Sequence, residues 1–75
     1  MPRDRLAFIT GGASGIGRAV AAALVREGAR VAIGDIAPEV DAVARDIKAA
    51  IGIRVDVTEP AQVEGAVREV VRYRT

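Results

Sequence analysis

Apolar and polar residues alternate along the chain in segments of two kinds. Three short apolar runs have the length and composition of strands buried in a parallel sheet. The predicted strands are Leu6 to Thr10, Arg30 to Gly34 and Ile53 to Val57. Between and after them, apolar residues recur every three or four positions, which is the period of a helix with one buried face. This alternation predicts an α/β fold in which parallel strands are joined by right-handed crossovers.

Each predicted helix has an apolar stripe and a residue that marks one of its ends. The stripes are Ile16, Val20, Ala23 and Leu24 in the first helix, Val40, Val43, Ala44 and Ile47 in the second, and Val63, Val67, Val70 and Val71 in the third. Gly28 is predicted to end the first helix in a left-handed conformation, and Gly52 to break the second. Pro38 suits the first turn of the second helix, and Thr58 is predicted to cap the third.

Composition and charge exclude several classes of function. The 75 residues make one small domain, and 51% hydrophobic with 28% charged residues are typical of a folded chain. Eleven basic and ten acidic residues are interleaved, so no basic patch supports nucleic-acid binding. The chain has no cysteine and no histidine, which argues against disulfides, thiol chemistry and a metal site. The apolar run after Arg5 is too short for a signal peptide or a membrane span, so we expect a cytoplasmic protein.

A glycine-rich turn joins the first strand to the first helix. It reads Thr10-Gly11-Gly12-Ala13-Ser14-Gly15-Ile16-Gly17. Glycine lets the backbone turn tightly and approach a ligand closely, and the first turn of a helix presents unpaired N–H groups to a phosphate. The turn is therefore interpreted as a pyrophosphate cradle. A strand-to-helix turn also uses glycine for steric reasons alone, and this alternative stays open.

The spacing of the glycines distinguishes among known phosphate-binding motifs. A P-loop requires lysine and then serine or threonine after its last glycine, but Arg18 and Ala19 follow Gly17. The G-x-G-x-x-G form requires glycine at position 20, which is Val20. The pattern that fits is Thr-Gly-x-x-x-Gly-x-Gly on Thr10, Gly11, Gly15 and Gly17. With this motif the chain resembles the N-terminal part of the short-chain dehydrogenase/reductase family.

The resemblance implies a Rossmann-type βαβαβα half. Its three parallel strands lie in the order 3-2-1, flanked by helices, and the ligand binds outside their carboxyl ends. A fourth strand would lie beside the first in the family, so the outer edge of the first strand is open here. An open edge and a small core predict marginal stability, self-association or a partner chain at this edge.

Asp35 stands at the end of the second strand, 18 residues after Gly17. A carboxylate there can accept hydrogen bonds from the adenosine ribose hydroxyls and would repel a 2′-phosphate. The alternative is that Asp35 only caps a turn. In the resembled family, basic residues at the places of Ser14 and Ile36 accompany the phosphorylated cofactor. Neither residue is basic, so we predict a preference for NAD over NADP.

The resemblance also assigns a set of cofactor-binding residues. Asp56 and Val57 match the pair that contacts adenine in the family, although a polar residue beside a core valine is common at a strand end. Ser14 and Ile16 are implied neighbours of the pyrophosphate and ribose. The predicted cofactor-binding residues are Gly11, Ser14, Gly15, Ile16, Gly17, Asp35, Ile36, Asp56 and Val57.

No catalytic residue can be assigned. The family's catalytic tyrosine is followed four residues later by lysine, whereas only Arg74 and Thr75 follow Tyr73. Lys48 is the only lysine and Ser14 the only serine. Residues 1–75 are therefore interpreted as the dinucleotide-binding part of such an oxidoreductase, truncated before the catalytic segment. A stand-alone nucleotide-binding module and an interaction fragment without catalysis remain the alternatives.

Overall fold

The structure contains three strands that alternate with three helices. A computed structural model describes residues 5–73; residues 1–4 and 74–75 of the predicted domain, with most of the segment that precedes the first apolar run, lie outside the described residues. The strands are β1 (Leu6–Thr10), β2 (Arg30–Asp35) and β3 (Ile51–Arg54). The helices are α1 (Gly15–Arg26), α2 (Val40–Ile47) and α3 (Pro60–Arg72). Within residues 5–73, no helix has both the length and the apolar character needed to cross a membrane.

The three strands form one parallel sheet with β2 in the centre. β1 pairs with β2 from Leu6 opposite Arg30 to Thr10 opposite Gly34, and β2 pairs with β3 as far as Asp35 opposite Arg54. The order β1-β2-β3 confirms the predicted parallel arrangement. Because parallel strands end at the same edge of the sheet, their carboxyl ends place Asp35 next to the residues that follow β1 and β3.

One face of the sheet holds the main core together with α1 and α2. Val31 and Ile33 of β2 are fully buried there. The predicted stripe of α2 is confirmed, since Val40, Val43 and Ala44 are buried and Ile47 packs against them. Strand β2 is buried between two neighbours, which explains why its sequence is an almost continuous apolar run.

The predicted stripe of α1 is wrong at its first two positions. Ile16 is 83% exposed and Val20 is 44% exposed, whereas Ala21 is fully buried and Leu24 and Val25 pack against the core. The small side chain of Ala21 lets the helix approach the sheet closely. The buried face therefore includes Ala21, Leu24 and Val25 and leaves Ile16 and Val20 outside.

The opposite face of the sheet is buried as well. Ala32 points away from Val31 and Ile33 because successive strand residues alternate, and it is nevertheless fully buried. The remaining buried apolar residues outside the main core are Val55, Ala66 and Val70. On this face the side chains of Phe8 and Val55 lie against Gly34, within 3 Å of the position that its Cβ atom would take. In α3, the predicted stripe is wrong at Val67 and Val71, which are about half exposed, whereas the small Ala66 is buried.

Strand β3 is displaced from its predicted position. It covers Ile51–Arg54 rather than Ile53 to Val57, and Gly52 lies inside it instead of breaking α2. A Cβ atom on Gly52 would lie 2.6 Å from the carbonyl oxygen of Val40. Gly52 is therefore needed for the close packing of α2 on β3. This requirement is a tertiary contact, so it could not be predicted from the tendency of glycine to break helices.

The first two helices end in the same way but with different residues. After α1, the N–H of Gly28 donates to Val25 O and that of Ala29 to Leu24 O, with Gly28 at φ 93° as predicted. After α2, Lys48 takes the corresponding position at φ 64°. Both are Schellman motifs, which usually place glycine at the left-handed residue. Helix α2 therefore ends through the same left-handed backbone conformation as α1. Because the residue that adopts it is a lysine rather than a glycine, the sequence does not indicate this end.

The predicted starts of α2 and α3 are both shifted. Pro38 lies in a turn before α2, which begins at Val40 after Glu39. Glu59, not Thr58, is the N-cap of α3, and Pro60 is the first helical residue. The hydroxyl of Thr58 donates instead to Asp56 Oδ1 at 2.6 Å, so this side chain serves the preceding turn.

Candidate functional site

The glycine-rich turn connects β1 to α1 in a conformation that its sequence makes accessible. Gly11 and Gly15 have φ values of 68° and 59°, in the left-handed region that glycine adopts without a Cβ penalty. At Gly17, a Cβ atom would collide with the carbonyl oxygen of Gly11. The first and last glycines of the motif are thus in direct backbone contact, and their spacing is required by the turn itself.

The first N–H groups of α1 come directly after the turn. Ser14 is the N-cap with an extended backbone, and its side chain makes no capping hydrogen bond. The N–H of Arg18 donates to Ser14 O and is the first of the helical bonds. The N–H groups of the first helical residues have no acceptor within the helix, and the helix dipole is positive at this end. This arrangement suits a phosphate group.

Arg18 does not join this anion site in the structure. Its Nη2 atom lies 2.6 Å from Asp46 Oδ2, so the side chain links α1 to α2. Both side chains are substantially exposed, and such surface ion pairs contribute at most about 1 kcal/mol to stability.

Asp35 is held by two turns at once. Its Oδ2 accepts a hydrogen bond from the N–H of Ala13 at 3.0 Å, and its Oδ1 accepts one from the N–H of Ala37 at 3.1 Å. The N–H groups of Ala37 and Ala13 lower the pKa of Asp35, and partial burial opposes this shift without reversing it. The carboxylate is therefore ionised at neutral pH. The predicted turn-capping role is real, but each oxygen still has a lone pair available.

A cleft of about 330 Å³ lies at the carboxyl ends of all three strands. It is lined by Thr10, Gly11, Asp35, Ile36, Val55, Asp56 and Val57. The cleft brings together the predicted residues Gly11, Asp35, Ile36, Asp56 and Val57. The other predicted residues, Ser14, Gly15, Ile16 and Gly17, do not line it and lie along the turn and the start of α1.

Asp56 is fixed by its own turn. Its Oδ1 accepts hydrogen bonds from the hydroxyl of Thr58 at 2.6 Å and from the N–H of Thr58 at 2.9 Å. These two bonds lower the pKa of Asp56. The backbone N–H of Asp56 donates to Gln62 Oε1 at 2.9 Å, which ties the turn to α3. The side chain is thus an ionised acceptor held at the margin of the cleft.

Two exposed apolar side chains contribute to the cleft. Ile36 and Val57 are each 58% exposed, although residues of this type are usually buried. The carbonyl of Ile36 accepts a hydrogen bond from Arg54 Nε at 3.1 Å, which fixes the backbone there. The cleft therefore combines apolar surface for a flat group with two carboxylates that can accept hydrogen bonds.

Sequence reasoning missed three residues at this site. Thr10 and Val55 line the cleft, and the backbone of Ala13 binds Asp35. Thr10 could have been found from its place in the glycine motif. The roles of Ala13 and Val55 depend on backbone geometry, which their side-chain types do not reveal.

A larger depression of about 420 Å³ lies along α3 and is lined by Gly65, Arg68, Glu69 and Arg72. It lies on the surface of one helix and includes none of the predicted site residues. Within residues 5–73, no group of three or more carboxylates could hold a metal ion. The cleft at the strand ends, by contrast, is lined by five of the nine predicted site residues.

Comparison with known proteins identifies the family. The family model of the short chain dehydrogenases matches residues 5–74. The chain belongs to the short-chain dehydrogenase/reductase family. It is similar to a sorbitol dehydrogenase from Cereibacter sphaeroides, with 54% identity over 67 residues that make up 87% of this chain and 26% of the relative. An NAD-dependent glycerol dehydrogenase from Listeria innocua is 38% identical over 89% of this chain and 27% of its own length.

A solved structure shares the fold. It is a blue fluorescent protein from a metagenomic library in complex with NADPH, with a TM-score of 0.83 and 29% identity. The match covers 93% of this chain and 32% of that one. This chain spans about a quarter of the length of the two dehydrogenases named above. It has the α/β Rossmann-type half of the family, whose members are oxidoreductases that bind a nicotinamide dinucleotide.

Proposed function

We propose that this chain binds NAD(H) as the cofactor-binding part of a short-chain dehydrogenase/reductase. The adenosine half would lie in the cleft at the strand ends, and the pyrophosphate would lie on the N–H groups that open α1. Gly11, Ser14, Gly15, Ile16 and Gly17 would form the pyrophosphate side of this site. Ile36 and Val57 would contact adenine, with Asp56 as an acceptor for its amino group.

The observation that supports this proposal best is the position of Asp35. Its carboxylate lines the cleft, is ionised at neutral pH, and lies one hydrogen bond from the glycine-rich turn. A vicinal diol needs an acceptor of this kind, because each hydroxyl can donate to one carboxylate oxygen. The same negative charge disfavours a phosphate group on that diol.

The preference for NAD over NADP rests on this charge. Ser14 and Ile36, the two positions at which a basic residue would accompany the phosphorylated cofactor, are both uncharged. Arg54 is a cation that does contact a residue of the cleft, through the hydrogen bond from its Nε to Ile36 O, and we propose that the charge of Asp35 outweighs it. The relatives do not decide the question, since the matched glycerol dehydrogenase is described as NAD-dependent while the matched structure contains NADPH. The proposal therefore depends on the local electrostatics of this chain.

Titration of the purified chain with NADH tests the proposal. The chain has no tryptophan, so the fluorescence of the reduced nicotinamide can be followed with little interference from the protein. We expect saturable binding that is at least about tenfold weaker in Asp35→Ala, since hydrogen bonds to a charged group contribute about 1.5–3 kcal/mol. NADPH should bind more weakly than NADH to the wild-type chain.

The control is Asp41→Ala, which removes a carboxylate from the exposed surface of α2. This variant should bind NADH like the wild type. Equal or tighter binding of NADPH would overturn the cofactor preference. Failure of a demonstrably folded chain to bind either cofactor would overturn the proposal as a whole and favour an interaction fragment without cofactor.

For the whole protein we propose hydride transfer between the nicotinamide and an alcohol or carbonyl substrate. The alternative is a stand-alone nucleotide-binding or interaction fragment without catalysis, because no catalytic residue could be assigned within residues 1–75. Assays of NADH formation by the whole protein, rather than by residues 1–75 alone, with a panel of polyols and cyclic alcohols distinguish the two. Turnover supports the oxidoreductase, and cofactor binding without turnover supports the alternative. A cytoplasmic location, where such cofactors are available, is part of the same proposal and can be tested by cell fractionation.

We also propose that the free edge of β1 associates with a second copy or a partner chain. Within the described residues β1 pairs on one side only, with β2, and an unpaired strand edge favours further pairing. Sedimentation over a range of concentrations tests this proposal. Association should appear at high micromolar concentration, and a folded chain that stays monomeric there would contradict it.

A further inference from the structure

The carboxylate of Asp35 connects two turns that are far apart in sequence. Oδ2 binds the N–H of Ala13, which is 22 residues away in the glycine-rich turn, and Oδ1 binds the N–H of Ala37 in the turn after β2. A side chain that only bound a ribose would not need either contact. The two bonds therefore indicate a second role for this residue.

The hydrogen bond from Ala13 to Asp35 attaches the turn at a residue that water can hardly reach. Ala13 is only 5% exposed, so its N–H cannot readily exchange Asp35 for water. The preceding residue, Gly12, donates its N–H to Gly34 O at 3.2 Å. Two consecutive N–H groups thus attach the turn to the end of β2, one to the backbone and the other to the Asp35 side chain.

We propose that Asp35 is a positioning residue for the glycine-rich turn as well as a ligand of the adenosine ribose, so that one carboxylate couples the pyrophosphate side of the site to its adenosine side. This inference rests on the proposed binding of a dinucleotide. A carboxylate can accept about four hydrogen bonds. The N–H groups of Ala13 and Ala37 each occupy one place on a different oxygen, and the N–H of Ile36 also favours the ionised carboxylate. Each oxygen can still accept from one of the 2′- and 3′-hydroxyls, so the roles are compatible in one complex.

Ligands with and without the ribose hydroxyls separate the two roles. The probes are ADP and 2′,3′-dideoxy-ADP, which keep adenine and the pyrophosphate and differ only in the diol. If Asp35 acted on the diol alone, Asp35→Ala would leave the affinity for dideoxy-ADP unchanged, or raise it by removing a negative charge. We expect it instead to fall by about fivefold or more, roughly the effect of one lost hydrogen bond. Asp35→Asn, which keeps one acceptor oxygen, should recover part of this loss.

A measurement without ligand tests the positioning role independently. Backbone amide resonances and hydrogen exchange can be compared in the wild-type chain, in Asp35→Ala, whose side chain has no acceptor, and in the matched variant Asp41→Ala. The amides of Gly12 and Ala13 should shift and lose protection in Asp35→Ala only, while Val31 and Ile33 in the core stay protected. In the wild-type chain, the Ala13 amide shift should follow the protonation of Asp35 as the pH is lowered, which needs no substitution.

The outcomes distinguish this inference from the proposed function. Wild-type binding of ADP and NADH with an unchanged dideoxy-ADP affinity in Asp35→Ala would overturn the positioning role and leave cofactor binding intact. An Ala13 amide that does not respond to Asp35 would overturn it as well. Absence of nucleotide binding in the wild type, together with an Ala13 amide that does respond, would overturn cofactor binding but keep the positioning role.

Discussion

The carbonyl oxygen of Gly11 occupies the space that a Cβ atom on Gly17 would need. This contact closes the glycine-rich turn and joins the end of β1 to the first turn of α1. Because the atom that a Cβ would meet belongs to the backbone of Gly11, no change of side-chain rotamer could remove the clash. The requirement for glycine at position 17 is therefore steric and holds whether or not a cofactor is bound. A bound phosphate would depend on the close approach of the turn to the start of α1 that this contact allows.

Gly17→Ala should destabilise the chain and abolish NADH binding. Because the Cβ atom would meet backbone, the turn or α1 must shift, and overpacking of this kind costs about 1–3 kcal/mol. The measurements are urea unfolding and NADH titration. Gly65→Ala in α3 is the matched control, since a Cβ atom there would meet nothing within 4 Å. It should raise the free energy of unfolding by about 0.5–1 kcal/mol, and a Gly17→Ala chain with wild-type stability would contradict the steric argument.

Lys48→Gly should stabilise the chain by about 1 kcal/mol. Lys48 is held at φ 64° after α2, a conformation in which residues with a Cβ atom are strained and glycine is not. Thermal or urea unfolding measures the gain. The reciprocal variant is Gly28→Ala, which places a Cβ atom at φ 93° after α1 and should lose a similar amount. If both variants changed stability in the same direction, the left-handed positions would not be the cause.

The sequence predicts the order of elements and the sheet because both depend on periodic burial. It predicts the end of α1 correctly because Gly28 is the residue that a left-handed position favours. It fails at the end of α2, where Lys48 adopts the same conformation, and at β3, where Gly52 serves packing against Val40 rather than breaking a helix. In both places the determining factor is a backbone conformation or a tertiary contact, which local composition does not encode.

The candidate site could likewise be predicted where it depends on residue type and spacing, but not where it depends on backbone geometry. The spacing of Thr10, Gly11, Gly15 and Gly17 led to the family, and the strand ends led to Asp35 and Asp56. The role of Ala13 could not be predicted, because its contribution is a backbone N–H directed at a side chain 22 residues away. The exposure of Ile16 and Val20 was missed because a helical stripe does not reveal which of two apolar faces a small residue such as Ala21 will place against the sheet.

Acid should destabilise the chain partly through Asp35. Hydrogen bonds from Ala37 and Ala13 give this carboxyl a pKa in the folded chain that lies below its ordinary value of 3.8. A group of this kind contributes stability that is complete above about pH 5 and is lost as the pH falls through the ordinary value and then through the lower folded-state pKa. The free energy of unfolding, measured with urea between pH 7 and pH 3, should therefore decrease over this range, and the decrease should be smaller in Asp35→Asn.

Asp56 contributes in the same direction, since its bonds from Thr58 also lower its pKa. The acid loss in Asp35→Asn should for that reason be reduced but not eliminated. Glu64→Gln is the control for this experiment, because Glu64 is exposed in the interior of α3 and the structure records no hydrogen bond to its carboxylate within residues 5–73. The acid loss in this variant should be close to that of the wild-type chain. An Asp35→Asn chain with the full wild-type loss would show that the two backbone hydrogen bonds do not favour the ionised carboxyl.

Val57→Ser should weaken the binding of ADP by about threefold to fivefold, since it removes roughly 1 kcal/mol of apolar contact with adenine. Val57 lines the cleft and is 58% exposed, so the substitution creates no cavity and should leave the unfolding midpoint unchanged. Val71→Ser provides a matched control, because Val71 is 53% exposed on α3 and lies outside the cleft. Isothermal titration of both variants with ADP separates contact with adenine from a general loss of surface hydrophobicity. Equal weakening in the two variants, or none in either, would mean that adenine does not bind against Val57.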